Sequence, residues 1–137
     1  MIGGVSRKLG TMVEDLVYPS IERIIKEQFG YETDDISLRR KRKFGGDKKK
    51  EFDVYALAGN YVFLNSTKST LTSANVDDFE KDIATFREAF PEYNDRPLIG
   101  IVSSLYVDES VITHAEDIGY MVLATGNELK KQGIFIS

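Results

Sequence analysis

Apolar residues recur at helical spacing over residues 11–29, where Val13, Leu16, Val17, Ile21, Ile24, Ile25 and Phe29 form one stripe. Pro19 interrupts the stripe, so a kink or a restarted first turn is expected there, and Gly30 is a natural stop. Residues 36–44, 51–58 and 61–66 read as strands, and Gly59-Asn60 between the second and third is a two-residue hairpin signal. Val76, Phe79, Ile83, Phe86 and Phe90 then step by three and four along a helix. Asn75 is the expected cap, acids are expected to fill the first turn, and Pro91 stops the helix. Leu98 to Leu105 is a buried strand by its nearly unbroken apolar run. Asp108 caps a helix carrying Val111, Ile112, Ala115 and Ile118, closed by Gly119; Tyr120 to Ala124 is another buried strand. Leu129 and Ile134 to Ile136 are expected to finish the sheet edge or its cover.

The resulting order, α-β-β-β-α-β-α-β, joins an antiparallel hairpin part to βαβ elements. It predicts an α/β fold with one mixed sheet and helices on both faces. No repeat, low-complexity tract or linker divides residues 1–137, so a single domain is expected.

Composition adds bounds. Apolar residues at 42% and charged residues at 29% are ordinary globular values, and no apolar run is long enough to span a membrane. A cytoplasmic location is the expectation. The absence of cysteine removes disulfides, zinc–cysteine sites and thiol nucleophiles. A net charge of −4 argues weakly against nucleic acid, but its distribution argues the other way. Arg39, Arg40, Lys41, Arg42, Lys43, Lys48, Lys49 and Lys50 place eight of eighteen positive charges within twelve residues. Such a patch can hold phosphates on an acidic protein, because screening confines fields to about 10 Å. It can equally be a solvated loop.

The hairpin turn fixes a register. If Ala58 faces Tyr61, Asp53 falls opposite Ser66 and Glu51 opposite Lys68, all on one face of the sheet. Two carboxylates, a hydroxyl and an ammonium then converge above Tyr55, Leu57, Val62 and Leu64. These groups suit a hard divalent cation and a phosphate. They equally suit a cross-strand Glu51–Lys68 ion pair with polar strand ends.

The run Glu51-Phe-Asp53-Val-Tyr-Ala, the Gly59-Asn60 turn and Tyr-Val-Phe-Leu-Asn-Ser66-Thr-Lys68-Ser resemble motifs II and III of the PD-(D/E)XK nuclease superfamily. Gly10-Thr-Met-Val-Glu14 resembles the helix-borne acid of the same families. Phe90-Pro91-Glu-Tyr, Gly100-Ile-Val-Ser and Gly119-Tyr-Met-Val-Leu resemble uncharacterised bacterial members, so the likeness covers nearly the whole chain. It implies a restriction-endonuclease-like αβββαβ core. It also implies metal-dependent (Mg²⁺ or Mn²⁺) hydrolysis of DNA, with Asp53 as metal ligand, Lys68 as catalytic lysine and Glu14 as accessory acid. The departure is Ser66, which stands where the family has Glu or Asp. Either Glu51 supplies the lost charge, as a metal ligand beside Asp53, or the site is degenerate and the domain only binds nucleic acid through segment 39–50. A protein-interaction domain, including a homodimer joined through a strand or helix, is the reading from another class.

Other residues carry less. His114, the only histidine, reads as a bystander, and Ser103-Ser104 lack a partnered base. Gly3-Gly4 and Gly45-Gly46 match no phosphate loop. Asp77, Asp78, Glu80 and Asp82 are expected to be explained by the helix macrodipole.

Overall fold

A computed structural model describes residues 13–124. A π-helical turn, Val13–Val17, runs directly into α1 (Tyr18–Phe29), with Pro19 in the first turn of the α-helix. Proline lacks an N–H and is tolerated there, so the chain restarts its helix at that point rather than kinking within it. Gly30 caps the end at φ 76°. The strands follow as β1 (Asp35–Phe44), β2 (Lys48–Ala58) and β3 (Tyr61–Leu71). Then come α2 (Ser73–Ala89), a 3₁₀ turn at Pro91–Tyr93, β4 (Leu98–Val107), α3 (Glu109–Ile118) and β5 (Met121–Ala124). Leu129 and Ile134 to Ile136 lie outside the described residues.

The five strands form one sheet in the order β1-β2-β3-β4-β5, antiparallel through β3 and parallel from β3 to β5. α2 and α3 cover one face, where Val76, Phe79, Phe86, Val111, Ile112 and Ala115 meet Tyr55, Leu57, Val62, Leu64, Val102 and Val122. α1 covers the other, burying Ile21, Ile24 and Ile25 against Val54, Ala56, Phe63, Ile101, Met121 and Leu123. Central strand residues are therefore apolar on both faces, which explains the continuous apolar runs.

Two expectations about α2 change. Thr72, not Asn75, is the N-cap: its hydroxyl accepts from the Asn75 N–H at 3.1 Å, and Asn75 Oδ1 accepts from the Thr72 N–H at 3.1 Å. This reciprocal pair is a capping box. The helix consequently begins earlier, and its first turn contains no acid. Macrodipole stabilisation fades beyond that turn and does not account for Asp82.

β1 and β2 also invert their faces midway. Ile36 and Leu38 pack on the α1 side, whereas Phe44 packs on the α2 side. In β2, Val54 faces the α1 core and Phe52 the α2 core, although residues two apart normally share a face. The switch falls between the pairs Leu38–Val54 and Arg40–Phe52, at Arg39, whose φ is +48°. A left-handed conformation costs a non-glycine residue about 1–2 kcal/mol. It rotates the rest of the hairpin so that Arg40, Arg42 and Phe44 turn toward α2.

Candidate active site

The β2–β3 ladder begins as the hairpin turn dictates, with Ala58 opposite Tyr61 and the same register kept to Val54–Asn65. There it ends. β2 continues only with β1, as far as Phe44–Lys48, while β3 continues only with β4, as far as Leu71–Val107. The expected Asp53–Ser66 and Glu51–Lys68 strand pairs are therefore not formed. A fork opens between the strands, and side chains from α2 enter it.

The fork is a cleft of about 90 Å³ lined by Lys50, Glu51, Phe52, Asp53, Leu64, Asn65, Ser66, Lys68, Phe79 and Asp82. Its helix-side wall is set by Phe79, fully buried and edge-on to Tyr120 with ring centroids 5.0 Å apart. Gly100 makes that seat: a Cβ there would lie 2.8 Å from the Phe79 ring and 2.9 Å from Tyr120. Asp82 lies three residues beyond Phe79, on the same side of the helix, and so is delivered into the cleft.

Asp53 sits at the crotch of the fork. Its Oδ2 accepts from the Thr67 backbone N–H at 2.8 Å, replacing the carbonyl that a continued ladder would have supplied. Burial pushes the Asp53 carboxyl above its ordinary value. The Thr67 N–H and the Lys68 ammonium oppose that rise, and the negative charges of Glu51 and Asp82 reinforce it. Asp82 is ion-paired to Lys50, with Nζ 3.2 Å from Oδ1. Glu51 and Lys68 are exposed at the rim, and Ser66 is buried.

Thr67 is fixed from behind. Its hydroxyl donates to Asn65 Oδ1 at 2.7 Å, and Asn65 Nδ2 donates to Ser103 Oγ at 2.7 Å and to the Ile101 carbonyl at 3.0 Å. These three polar side chains are buried, so each needs its partner. Ser103 is thus a structural residue of the sheet. His114 bonds Asp77 at 2.8 Å and ties α3 to α2.

Of the residues predicted for the site, Glu51, Asp53, Ser66 and Lys68 do share one cleft, though across a fork rather than a ladder. The side chain of Glu14 lies outside the described residues. Sequence reading did not bring Asp82 to this cleft, and assigned Lys50 to the basic segment and not to the cleft wall. Among the described residues no three histidine, aspartate or glutamate side chains group closely enough to form a metal cluster by themselves.

The basic segment divides. Arg42 pairs with Glu92 at 2.9 Å and lies over the Phe90 ring, Lys48 pairs with Glu88 at 3.1 Å, and Lys50 with Asp82. Arg40 donates to the Tyr55 hydroxyl at 3.4 Å. Lys41, Lys43 and Lys49 are exposed, and among the described residues none of their side chains makes an ion pair or hydrogen bond.

The αβββαβ order, the mixed sheet covered on both faces, and the acid-and-lysine cleft at a strand fork define an α/β domain of restriction-endonuclease-like architecture. The chain belongs to the family described as a domain of unknown function, DUF8196, whose model matches residues 17–132. No curated protein matches it. Among solved structures, protein VC1899 from Vibrio cholerae superposes with a TM-score of 0.53 at 21% identity, over 80% of this chain. The chain spans only 28% of VC1899, and the likeness is one of fold. AF1548, a protein of unknown function, gives 0.47 at 13% identity over 83% of this chain and 64% of its own. A repair endonuclease from Pyrococcus abyssi gives 0.43 at 13% identity over 74% of this chain and 42% of its own. Among the described residues no helix is long and apolar enough to cross a membrane.

Proposed function

We propose that the domain is a metal-dependent phosphodiesterase acting on nucleic acid, in which Asp82 stands in for the acid missing at Ser66. The observation that carries this reading is the delivery of Asp82 by α2 into the cleft that holds Asp53 and Lys68. An acid on a helix face beside Phe79 and Phe86 would ordinarily be a cost, because that face packs inward. Its presence is understandable if the cleft needs a second carboxylate.

The donor set fits a hard divalent cation. Asp53 and Asp82 offer charged oxygens, Ser66 a neutral one, and Glu51 adds negative charge at the rim. The Asp53 carboxyl is raised chiefly by burial and further by the charges of Glu51 and Asp82, and a cation in the cleft would offset both. Lys50 partly meets that demand through its pair with Asp82. A bound Mg²⁺ or Mn²⁺ would supply Lewis acidity toward a phosphoryl oxygen.

The chain's own groups do the rest. Thr67 N–H holds one Asp53 oxygen, which leaves the other directed by the fork. Lys68, two residues past Ser66 on the same strand, places a positive charge to orient a water or offset the charge that develops on a phosphate. The test is nicking of supercoiled plasmid in Mg²⁺ or Mn²⁺. Cleavage by the wild type that falls at least about 100-fold in Asp53→Asn, Asp82→Asn and Lys68→Ala supports the reading. Cleavage unchanged in Asp82→Asn refutes the substitution of Asp82 for the missing acid.

A further inference from the structure

Resting on the nucleic-acid reading above, we infer that the polyanion-binding surface is one face of the β1–β2 hairpin, made by Lys41, Lys43 and Lys49, and not the whole basic segment. The inversion at Arg39 sorts the cations. Residues 40, 42, 48 and 50 turn to the α2 side, where Glu92, Glu88 and Asp82 neutralise three of them and Tyr55 receives the fourth. Those charges are spent on attaching the hairpin to the helix.

Lys41, Lys43 and Lys49 alternate with them and project from the opposite face. Lys43 is directly opposite Lys49 in the ladder, two like charges on neighbouring strands. Such a pair destabilises a hairpin, and among the cross-strand partners of the three lysines Glu51, opposite Lys41, is the one acid. An unneutralised lysine pair that weakens its own strand pairing is accounted for if an external polyanion covers it. Glu51, at the end of this face, also lines the cleft at the edge of β2 that β3 leaves open, so a phosphodiester backbone crossing that edge from the lysines reaches Asp53 and Lys68. Lysines contact phosphates as point charges, without base readout, so binding here is indifferent to sequence.

The experiment is fluorescence anisotropy of a labelled 20-bp DNA duplex against KCl concentration, in EDTA so that hydrolysis does not intervene. Three proteins are compared: wild type, the triple variant Lys41→Gln/Lys43→Gln/Lys49→Gln, and the control Arg42→Gln/Lys48→Gln. Circular dichroism verifies that each is folded. Loss of three phosphate contacts lowers the slope of log affinity against log salt by about 2.7. The inference expects that drop in the triple variant, with the control's slope within about 1 of wild type. An unchanged slope in the triple variant, or an equal drop in the control, overturns it. If plasmid nicking by the wild type still depends on Asp53 in that case, the nuclease reading survives. Wild type that binds no duplex at low salt overturns the lysine face directly, and the nicking assay again decides the site separately.

Discussion

The two halves of β2 share a strand but have opposite tasks. Val54 to Ala58 is buried on both faces and paired on both edges, to β1 and to β3. Lys48 to Asp53 keeps only its β1 edge, and where β3 departs its side chains are charged or line a cleft. The first half is held by apolar burial, at roughly 25 cal/mol per Å² removed from water. The second is held by one buried ring, Phe52 edge-on to Phe86 and Phe90, and otherwise by individual polar contacts: Asp53 on the Thr67 N–H, Lys50 on Asp82, Lys48 on Glu88. Stability and chemistry therefore occupy adjacent segments of one strand, with Asp53 as the boundary.

Substitutions should separate the halves. The largest effect is expected beside the closed half: Phe63→Ala, on β3 opposite Ala56 and at a fully buried ring edge-on to Phe29, should cost about 3–5 kcal/mol in urea unfolding. Across the cleft from the open half, Lys68→Ala on β3 removes an exposed side chain and should move stability by less than about 0.5 kcal/mol while abolishing nicking. Comparable destabilisation by the two would erase the distinction.

Asp53 itself carries a pH signature. Its folded carboxyl is raised above the ordinary aspartate value of 3.8, so the native state holds its proton more tightly than the unfolded chain. Stability from this group is greatest below about pH 4 and is lost as pH rises through the raised folded value. Asp53→Asn should therefore be more stable than wild type at pH 7, with the gain vanishing in acid. Melting temperatures across pH 3–8 measure this, and a variant less stable than wild type at pH 7 would contradict the assignment.

A modest stability effect is expected at Lys50→Gln, whose partly exposed pair with Asp82 is worth less than about 1 kcal/mol. The same change frees Asp82, so Mn²⁺ should bind several-fold tighter. Weaker binding would mean that Lys50 supports the site instead of competing for it.

The closed half was legible in the chain. Gly59-Asn60 fixes the hairpin, alternation fixes the register from Ala58–Tyr61 to Val54–Asn65, and the apolar stripes locate the helices. The open half was not, because a ladder rule has no term for its own ending. The fork depends on α2, the helix that follows β3, folding back to bring Phe79 and Asp82 against the strands. One signal for Asp82 was present and misread. It falls within the stripe Val76, Phe79, Ile83, Phe86, and with Thr72 as cap it is too far along the helix for the macrodipole to explain. The division of the basic segment was equally hidden, since it follows from a single backbone conformation at Arg39.

The most direct test of the paired carboxylates is a calorimetric titration of Mn²⁺ into wild type, Asp53→Asn, Asp82→Asn and Glu51→Gln. Saturable binding in wild type and Glu51→Gln that disappears in both aspartate variants is the predicted result. Binding that persists undiminished in Asp82→Asn, or is lost only in Glu51→Gln, would contradict the account and return the second charge to β2.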